Sequence, residues 1–288
     1  MEDQLELLKK QNNWHSLHIY YEKEVTNVLL VVKELIKNYK SYILIWFFIR
    51  YFDEGNHIRL RISFKTNTNE KIITNFYLKV SKLVKRQNTN IIKIKNTKYV
   101  PEILRYGGVG LINLAETHFM YSSHLFVQKF KALNTHAKLE NLIVFNYMIL
   151  VSFGLNLSET CKLNYRMYLY WKPSFKLYFP EVKSPSKYFR SKIYADIDNW
   201  ILFFKSPISN TSRFGTAYQY WLKANKSISK KYYKTVSKRD LLNSPQYKSI
   251  LPSLIHMNNN RFGLNNYEEA YILYHTYYVI KKVLKLTK

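Results

Sequence analysis

Along the first hundred residues the hydrophobic positions change period repeatedly, and each change predicts a new element. Trp14 to Tyr21 alternates as a strand. From Val25 to Asn38, Val28, Leu29, Val32, Leu35 and Ile36 recur at helical spacing and predict one apolar helix face. Tyr42 to Tyr51 is a nearly continuous apolar run, as expected of a strand covered on both faces and central in its sheet. Asp53-Glu54-Gly55-Asn56 is a turn signal and His57 to Phe64 alternates again, so the two runs predict a hairpin. Glu70 to Gln87 is helical in pattern. From about Leu111 onward helical spacing dominates, and Tyr267 to Leu286 predicts a final amphipathic helix. The expected class is α+β: a mixed or antiparallel sheet mainly in the N-terminal half, packed by helices, then a helix-rich C-terminal half.

No repeat at solenoid periods is evident. Seven prolines and seven glycines are too few for a long flexible linker, so a single domain over residues 1–288 is expected. The segment Leu222 to Arg239, rich in lysine and serine, reads as an exposed loop or a solvated helix face. The most apolar runs, Tyr42 to Ile49 and Leu142 to Leu155, are too short to span a bilayer, and the second contains Asn146. Met1-Glu2-Asp3-Gln4 is acidic and no apolar h-region follows, so no secretory signal is visible. The single cysteine, Cys161, excludes an internal disulfide framework and fits a reducing cytoplasm. A soluble, cytoplasmic protein without a membrane span is expected.

Charge changes the picture. Lysine and arginine total 45 against 19 acidic residues, a formal +26, which favours anionic partners such as nucleic acid, anionic lipid or an acidic substrate. A plainer reading competes for the lysines, because Lys, Asn, Ile, Tyr and Phe all have A/T-rich codons and are abundant here. The arginines are fewer, and several sit in patterned places. Strand alternation puts His57, Arg59 and Arg61 on one face and Ile58, Leu60 and Ile62 on the other. A solvated polar face is the bland reading of that stretch. The apolar strand before it, ending Phe47-Phe48-Ile49-Arg50-Tyr51, argues instead for arginines inside the fold, where they need an anion.

Two further segments carry candidate chemistry. In Tyr99-Val100-Pro101-Glu102-Ile103-Leu104-Arg105-Tyr106-Gly107-Gly108, Glu102 and Arg105 are placed to form a salt bridge, and the glycines mark a turn. The run through Gly110 completes neither a P-loop nor a dinucleotide fingerprint. Around His256, the polar cluster Asn258-Asn259-Asn260-Arg261 is unusual for a core helix, although a histidine beside apolar residues is more often a satisfied core residue. His15 and His18 face opposite ways on their strand and make a poor metal pair. No HExxH, Cys-His ligand spacing or GxSxG elbow occurs, and Cys161 lies among leucines in a helical pattern.

Taken in order, these segments resemble the C-terminal domain of lantibiotic dehydratases and its stand-alone relatives, the thiopeptide-type bacteriocin biosynthesis proteins. The matching text is Trp14…Leu17-His18-Ile19-Tyr20-Tyr21, Phe48-Ile49-Arg50-Tyr51…His57-Ile58-Arg59-Leu60-Arg61, Tyr99…Glu102…Arg105-Tyr106-Gly107-Gly108, Ala115-Glu116…Phe119 and His256-Met257…Asn260-Arg261. Lys129 to Lys248 carries no motif of the family. The resemblance implies a lyase that eliminates glutamate from glutamylated Ser or Thr of a ribosomal precursor peptide, leaving dehydroalanine or dehydrobutyrine. It implies catalytic roles for Arg59, Arg61, Arg105 and His256, substrate-binding roles for Glu102, Arg50 and Arg261, and no metal or cofactor. The implied partners are the glutamylated precursor peptide, a separate tRNA-dependent glutamylation protein and, through it, tRNA. One departure stands out: the family often has Asp before Ser after the Ala-Glu…Phe segment, where this chain has Ser122-Ser123.

Arginine suits such a role because it stays charged and forks toward carboxylates. Histidine suits acid–base work because its unperturbed pKa lies near neutrality. Two other readings remain open. Relatives that join two dehydroalanines into the pyridine core of thiopeptides share the fold, and retention of the arginines and histidine is what separates elimination from that cycloaddition. A non-catalytic RNA-binding or scaffolding subunit would use the charge and the 26 tyrosines, but no RRM, KH or helix-turn-helix signature supports it.

Overall fold

A computed structural model describes residues 14–83, 90–129, 135–206 and 215–287. Met1 to Gln4 and the stretch predicted to carry the second helix on to Gln87 lie outside these residues. The chain forms two compact units, residues 1–132 and 133–288.

Unit 1 holds the sheet. Strands β1 (Trp14–Tyr21), β2 (Ile43–Tyr51), β3 (His57–Phe64) and β4 (Ile91–Thr97) lie in the order β2-β3-β1-β4, every neighbouring pair antiparallel. Helices α1 (Val25–Asn38), α2 (Glu70–Leu83) and α3 (Val109–Lys129) pack against it. Register sorts the side chains into two faces. Leu60 and Ile62 of β3 lie opposite Leu17 and His15 of β1, and opposite Phe48 and Trp46 of β2. The aliphatic positions Ile58, Leu60 and Ile62 are all fully buried. Phe76 of α2 closes the far end of this face against Phe64 and Tyr39, at ring separations of 5.4 and 5.2 Å.

The hairpin and its turn form as expected, with Glu54 and Gly55 at positive φ. The position of β2 differs from expectation: it is an edge strand, and β3 is central. Its apolar run reflects cover from a helix. Phe47 and Phe48 are both fully buried, and each meets an α3 ring, Phe119 at 5.3 Å and Phe126 at 6.0 Å. The outer edge amide of Phe48, buried beneath α3, donates to Ser123 Oγ at 3.2 Å, so α3 blunts an edge that would otherwise template pairing. β4 was not apparent in the sequence pattern, because Ile92 is exposed and lysines interrupt the alternation; lysine is an ordinary device on an edge strand.

Unit 2 is helical among its described residues: α4 (Thr135–Ser152), α5 (Leu157–Trp171), α6 (Phe175–Tyr178), α7 (Pro185–Ile193), α8 (Ile197–Lys205), α9 (Thr216–Tyr232), α10 (Lys238–Asn243), α11 (Ile250–Arg261) and α12 (Asn266–Leu286). The apolar run from Leu142 becomes the core of α4, with Leu142, Phe145, Met148, Ile149 and Leu150 fully buried. The polar cluster of α11 is explained by this packing. Asn146 donates to Asn259 Oδ1 at 2.8 Å and accepts from Asn258 Nδ2 at 3.0 Å, pinning α11 to α4 inside the core. The segment expected as a loop or solvated face lies largely in α9. Its lysines do face water, but Trp221, Leu222, Ile228 and Tyr232 are buried, and the Trp221 indole donates to the Phe145 carbonyl at 3.1 Å. Cys161 is buried in α5, and its thiol reaches the Tyr277 carbonyl at 3.7 Å, a structural placement. No helix among the described residues is long and apolar enough to cross a membrane.

Ser123→Ala is expected to strand the buried Phe48 amide and destabilise unit 1 by about 1–3 kcal/mol, read as a lower urea midpoint.

Candidate functional site

The second face of the sheet carries the candidate chemistry of unit 1. Pairing places Ser16, His18 and Tyr20 of β1 opposite Arg61, Arg59 and His57 of β3, while Phe47, Ile49 and Tyr51 of β2 lie on the other side of the same three residues. Lys93, Lys95 and Thr97 extend the face along β4. It is a basic face with aromatic walls, built by strand alternation.

Arg61 is its most constrained member. It is only 7% exposed, its Nη1 donates to Ser16 Oγ, and Ser16 is in turn 2.5 Å from the Thr97 hydroxyl. Its guanidinium lies over the Tyr99 ring at 5.3 Å, while its Nε is buried with no acceptor. No carboxylate pairs with it among the described residues. Burial brings its pKa down to about 10, with the charge of Arg59 acting the same way, so it remains a cation at neutral pH. Tyr99 is locked by donating to Glu116 Oε1 at 2.9 Å, and by edge contacts with Trp14 and Phe47.

Arg59 is differently held. Its Nη2 donates to Asp53 at 3.1 Å, its plane covers the Tyr51 ring at 3.3 Å, and its Nε donates to His57 Nε2 at 3.3 Å. Arginine can only donate, and the Gly55 carbonyl 2.9 Å from His57 Nδ1 can only accept. His57 is therefore the Nδ1–H tautomer and serves as a buried prop for Arg59. The anion expected for this pair of arginines is thus supplied for one of them only.

His18, whose spacing from His15 suits no metal, joins the face opposite Arg59. It stacks on His57 at 5.1 Å, and burial, reinforced by Arg61 and Arg59, brings its pKa down to about 4. It stands beside two cations as a neutral imidazole. The alternation that faced the arginines inward also carried the signal for His18, through the opposite strand.

The Glu102–Arg105 pair forms, with Arg105 Nη1 3.0 and 3.2 Å from the two carboxylate oxygens. Glu102 precedes and Arg105 belongs to a 3-10 turn, Ile103–Tyr106, that ends on Gly107 in the left-handed region at φ 91°. The Gly107-Gly108 pair thus stops this turn; Gly108 N–H returns to the Ile103 carbonyl at 3.0 Å. Tyr106 packs on Phe119 at 5.3 Å, and Phe119 on Phe47, which anchors the turn to the wall of the arginine face. Arg50 does not join this group. Its register partner is Ile58, so it lies on the aliphatic side, over the Phe126 ring at 5.0 Å.

In unit 2, His256 is half-buried on α11 with its ring stacked on Trp171 at 4.9 Å. Its Nδ1 lies 2.8 Å from Glu269 Oε2, and Glu269 is only 2% exposed. Sequence reading did not single out Glu269. A usable signal existed: Asn265 and Glu268 form the capping box that starts α12, with bonds of 2.9 and 3.0 Å, which leaves the adjacent Glu269 free of that duty. Arg261 is fully buried, and its Nη1 donates to the Met257 carbonyl at 2.6 Å. It is part of the packing of α11. Among the described residues no group of three His, Cys, Asp or Glu is disposed to hold a metal ion.

A family model described as Lantibiotic biosynthesis dehydratase C-term matches residues 14–280. Among solved structures, the tRNA dependent lantibiotic dehydratase MibB from Microbispora sp. 107891 is similar at 18% identity, with a TM-score of 0.68 over 96% of this chain. The chain spans 29% of the length of MibB. TsrL is similar at 11% identity and a TM-score of 0.61, covering 94% of this chain and 95% of TsrL. The pyridine synthase TbtD, from thiomuracin biosynthesis, is similar at 11% identity and a TM-score of 0.62, covering 95% and 99%. At these identities the likeness establishes the fold. No curated protein matches the sequence.

His18 is neutral in the fold yet titrates near 6.5 when unfolded, so the unfolded chain binds the extra proton first as the medium is acidified. The stability due to its neutral form is complete above pH 6.5 and is lost toward about pH 4, the folded value. NMR titration of the His18 ring is expected to place its midpoint near pH 4, and Arg61→Met is expected to move it upward by part of that distance, burial being the larger cause.

Proposed function

Because the chain belongs to the lantibiotic biosynthesis dehydratase C-terminal family, matched over residues 14–280, we propose that it is a lyase that eliminates glutamate from glutamylated Ser or Thr of a precursor peptide. The observation that carries this reading is Arg61, a nearly buried cation without a carboxylate partner among the described residues, next to Arg59 on one face. A site built this way gains most from a ligand that brings negative charge.

Elimination generates that charge. A base takes the Cα proton of the esterified residue, the released pair forms the Cα=Cβ bond, and the Cβ–O bond breaks, expelling glutamate with a new carboxylate. Arg61 and Arg59 are assigned to the carboxylate and to the charge that develops on the ester-bearing residue. Arg105, held by Glu102, serves the same anion, and His256 is the acid–base group. Arg50 and Arg261 are assigned to packing on the evidence of their burial and register. In this reading the protein acts in the cytoplasm, and the glutamate is installed by a tRNA-dependent glutamylation protein.

A second reading has an observation of its own. The fold is also that of TbtD, a pyridine synthase, which matches over 95% of this chain and suggests a pyridine-forming enzyme as the alternative. That reaction joins dehydroalanines and expels no glutamate, so it leaves the arginine face without an evident task.

Mass spectrometry of a glutamylated precursor peptide distinguishes the two. Wild-type protein is expected to release glutamate and leave dehydrated residues. Arg61→Ala and His256→Ala are each expected to slow this by about 10²-fold or more while retaining the wild-type circular dichroism. Persisting esters, together with cyclisation of a peptide that already carries dehydroalanines, would establish the cycloaddition instead.

A further inference from the structure

The reactive nitrogen of His256 is set by the residue behind it. Imidazole has two nitrogens, and the hydrogen bond made by one decides which proton the other can exchange. His256 Nδ1 faces Glu269 Oε2 at 2.8 Å, on a helix whose start is fixed independently by the Asn265–Glu268 capping box. Glu269 is 2% exposed, and its second oxygen, Oε1, is buried without a donor. His256 is therefore the one group among the described residues that satisfies this carboxylate. Stacking on Trp171 at 4.9 Å with an interplanar angle of 24° stops the ring from turning away.

We propose that Glu269 is a positioning residue. It accepts the Nδ1–H of His256 and so presents Nε2, lone pair outward, as the atom that exchanges a proton with substrate. This rests on the assignment of His256 as the acid–base group and adds the atom, the tautomer and the residue that imposes it. In the elimination, Nε2 takes the Cα proton and the imidazole becomes a cation, which the buried carboxylate stabilises. When the proton leaves to solvent or to a departing group, the Nδ1–H form is restored. The arrangement follows the logic of a histidine oriented by a buried carboxylate, in which the carboxylate fixes geometry and tautomer without itself taking up the proton. It also explains why an acidic side chain is retained inside α12, where burial of an unpaired charge would be costly.

The test needs no substrate for its first arm. Heteronuclear NMR on histidine-labelled full-length protein, under alkaline conditions where imidazole is neutral, reports the tautomer of His256, identified by its loss in His256→Asn. The expected result is the Nδ1–H form in wild type and Glu269→Asp, and a mixture in Glu269→Gln and Glu269→Ala, since an amide can donate to Nδ1 as well as accept. In the second arm, turnover of the glutamylated peptide is expected to fall about 10²-fold or more in kcat for Glu269→Gln, with KM nearly unchanged and partial recovery in Glu269→Asp. An Nε2–H ring in wild type, or a tautomer indifferent to Glu269→Gln in a protein with wild-type melting temperature, overturns the assignment. A tautomer switch in a protein that releases no glutamate supports the positioning role and removes the elimination reading alone.

Discussion

Arg61 carries a full charge into the central strand of a four-stranded sheet, where desolvation of an ion costs several kcal/mol even after local relaxation. A hydroxyl from Ser16 and the face of the Tyr99 ring return part of that cost. Each helper is itself fixed: Ser16 by Thr97 on the next strand, Tyr99 by Glu116 on α3 and by the rings of Trp14 and Phe47. Much of unit 1 is thus arranged around one guanidinium. Arg59 is relieved by Asp53 at the hairpin turn, so the residual positive field is concentrated at Arg61. The same field, acting with burial, holds His18 neutral.

Unit 2 presents the complementary problem, a buried carboxylate. Glu269 is answered by a half-exposed imidazole, whose far nitrogen is left for chemistry. The two arrangements differ in what they ask of a ligand. An unmatched cation favours an anion in the bound state, whereas an oriented histidine favours proton movement in the transition state.

The fold was legible where side-chain period is decisive. The ends of β1 and α1 and the hairpin of β2 and β3 follow from alternation and helical spacing, because each of these elements buries one well-marked face. Legibility failed where tertiary cover overrides pattern. A long apolar run marks β2 as enclosed, but sequence does not distinguish enclosure by neighbouring strands from enclosure by α3 at an edge. β4 was invisible because an edge strand tolerates lysines, here Lys93 and Lys95 beside the arginines, and an exposed Ile92. For the site, alternation correctly put His57, Arg59 and Arg61 on a single face; it did not reveal that His57 is a prop, since that depends on the Gly55 carbonyl. Arg50 and Arg261 looked equivalent to the other arginines, yet register sends one to the aliphatic face and helix packing encloses the other. Glu269 escaped notice because its meaning depends on a contact between two helices.

The departure at Ser122-Ser123 bears on how far family patterns carry over. Ser123 accepts the edge amide of β2, the strand that supplies Phe47 to the wall beside Arg61. A hydroxyl meets that demand without adding negative charge. An ionised aspartate at the preceding, fully buried position would bring a carboxylate into a unit whose distinguishing property is a cation left without one. Electrostatics of this kind separate the two reactions more sharply than overall shape does. Fusion of two neutral dehydroalanines develops little net charge, whereas expulsion of glutamate creates a carboxylate and a transient enolate. A face that keeps two arginines inward, with one of them unneutralised, is suited to the reaction that produces anions.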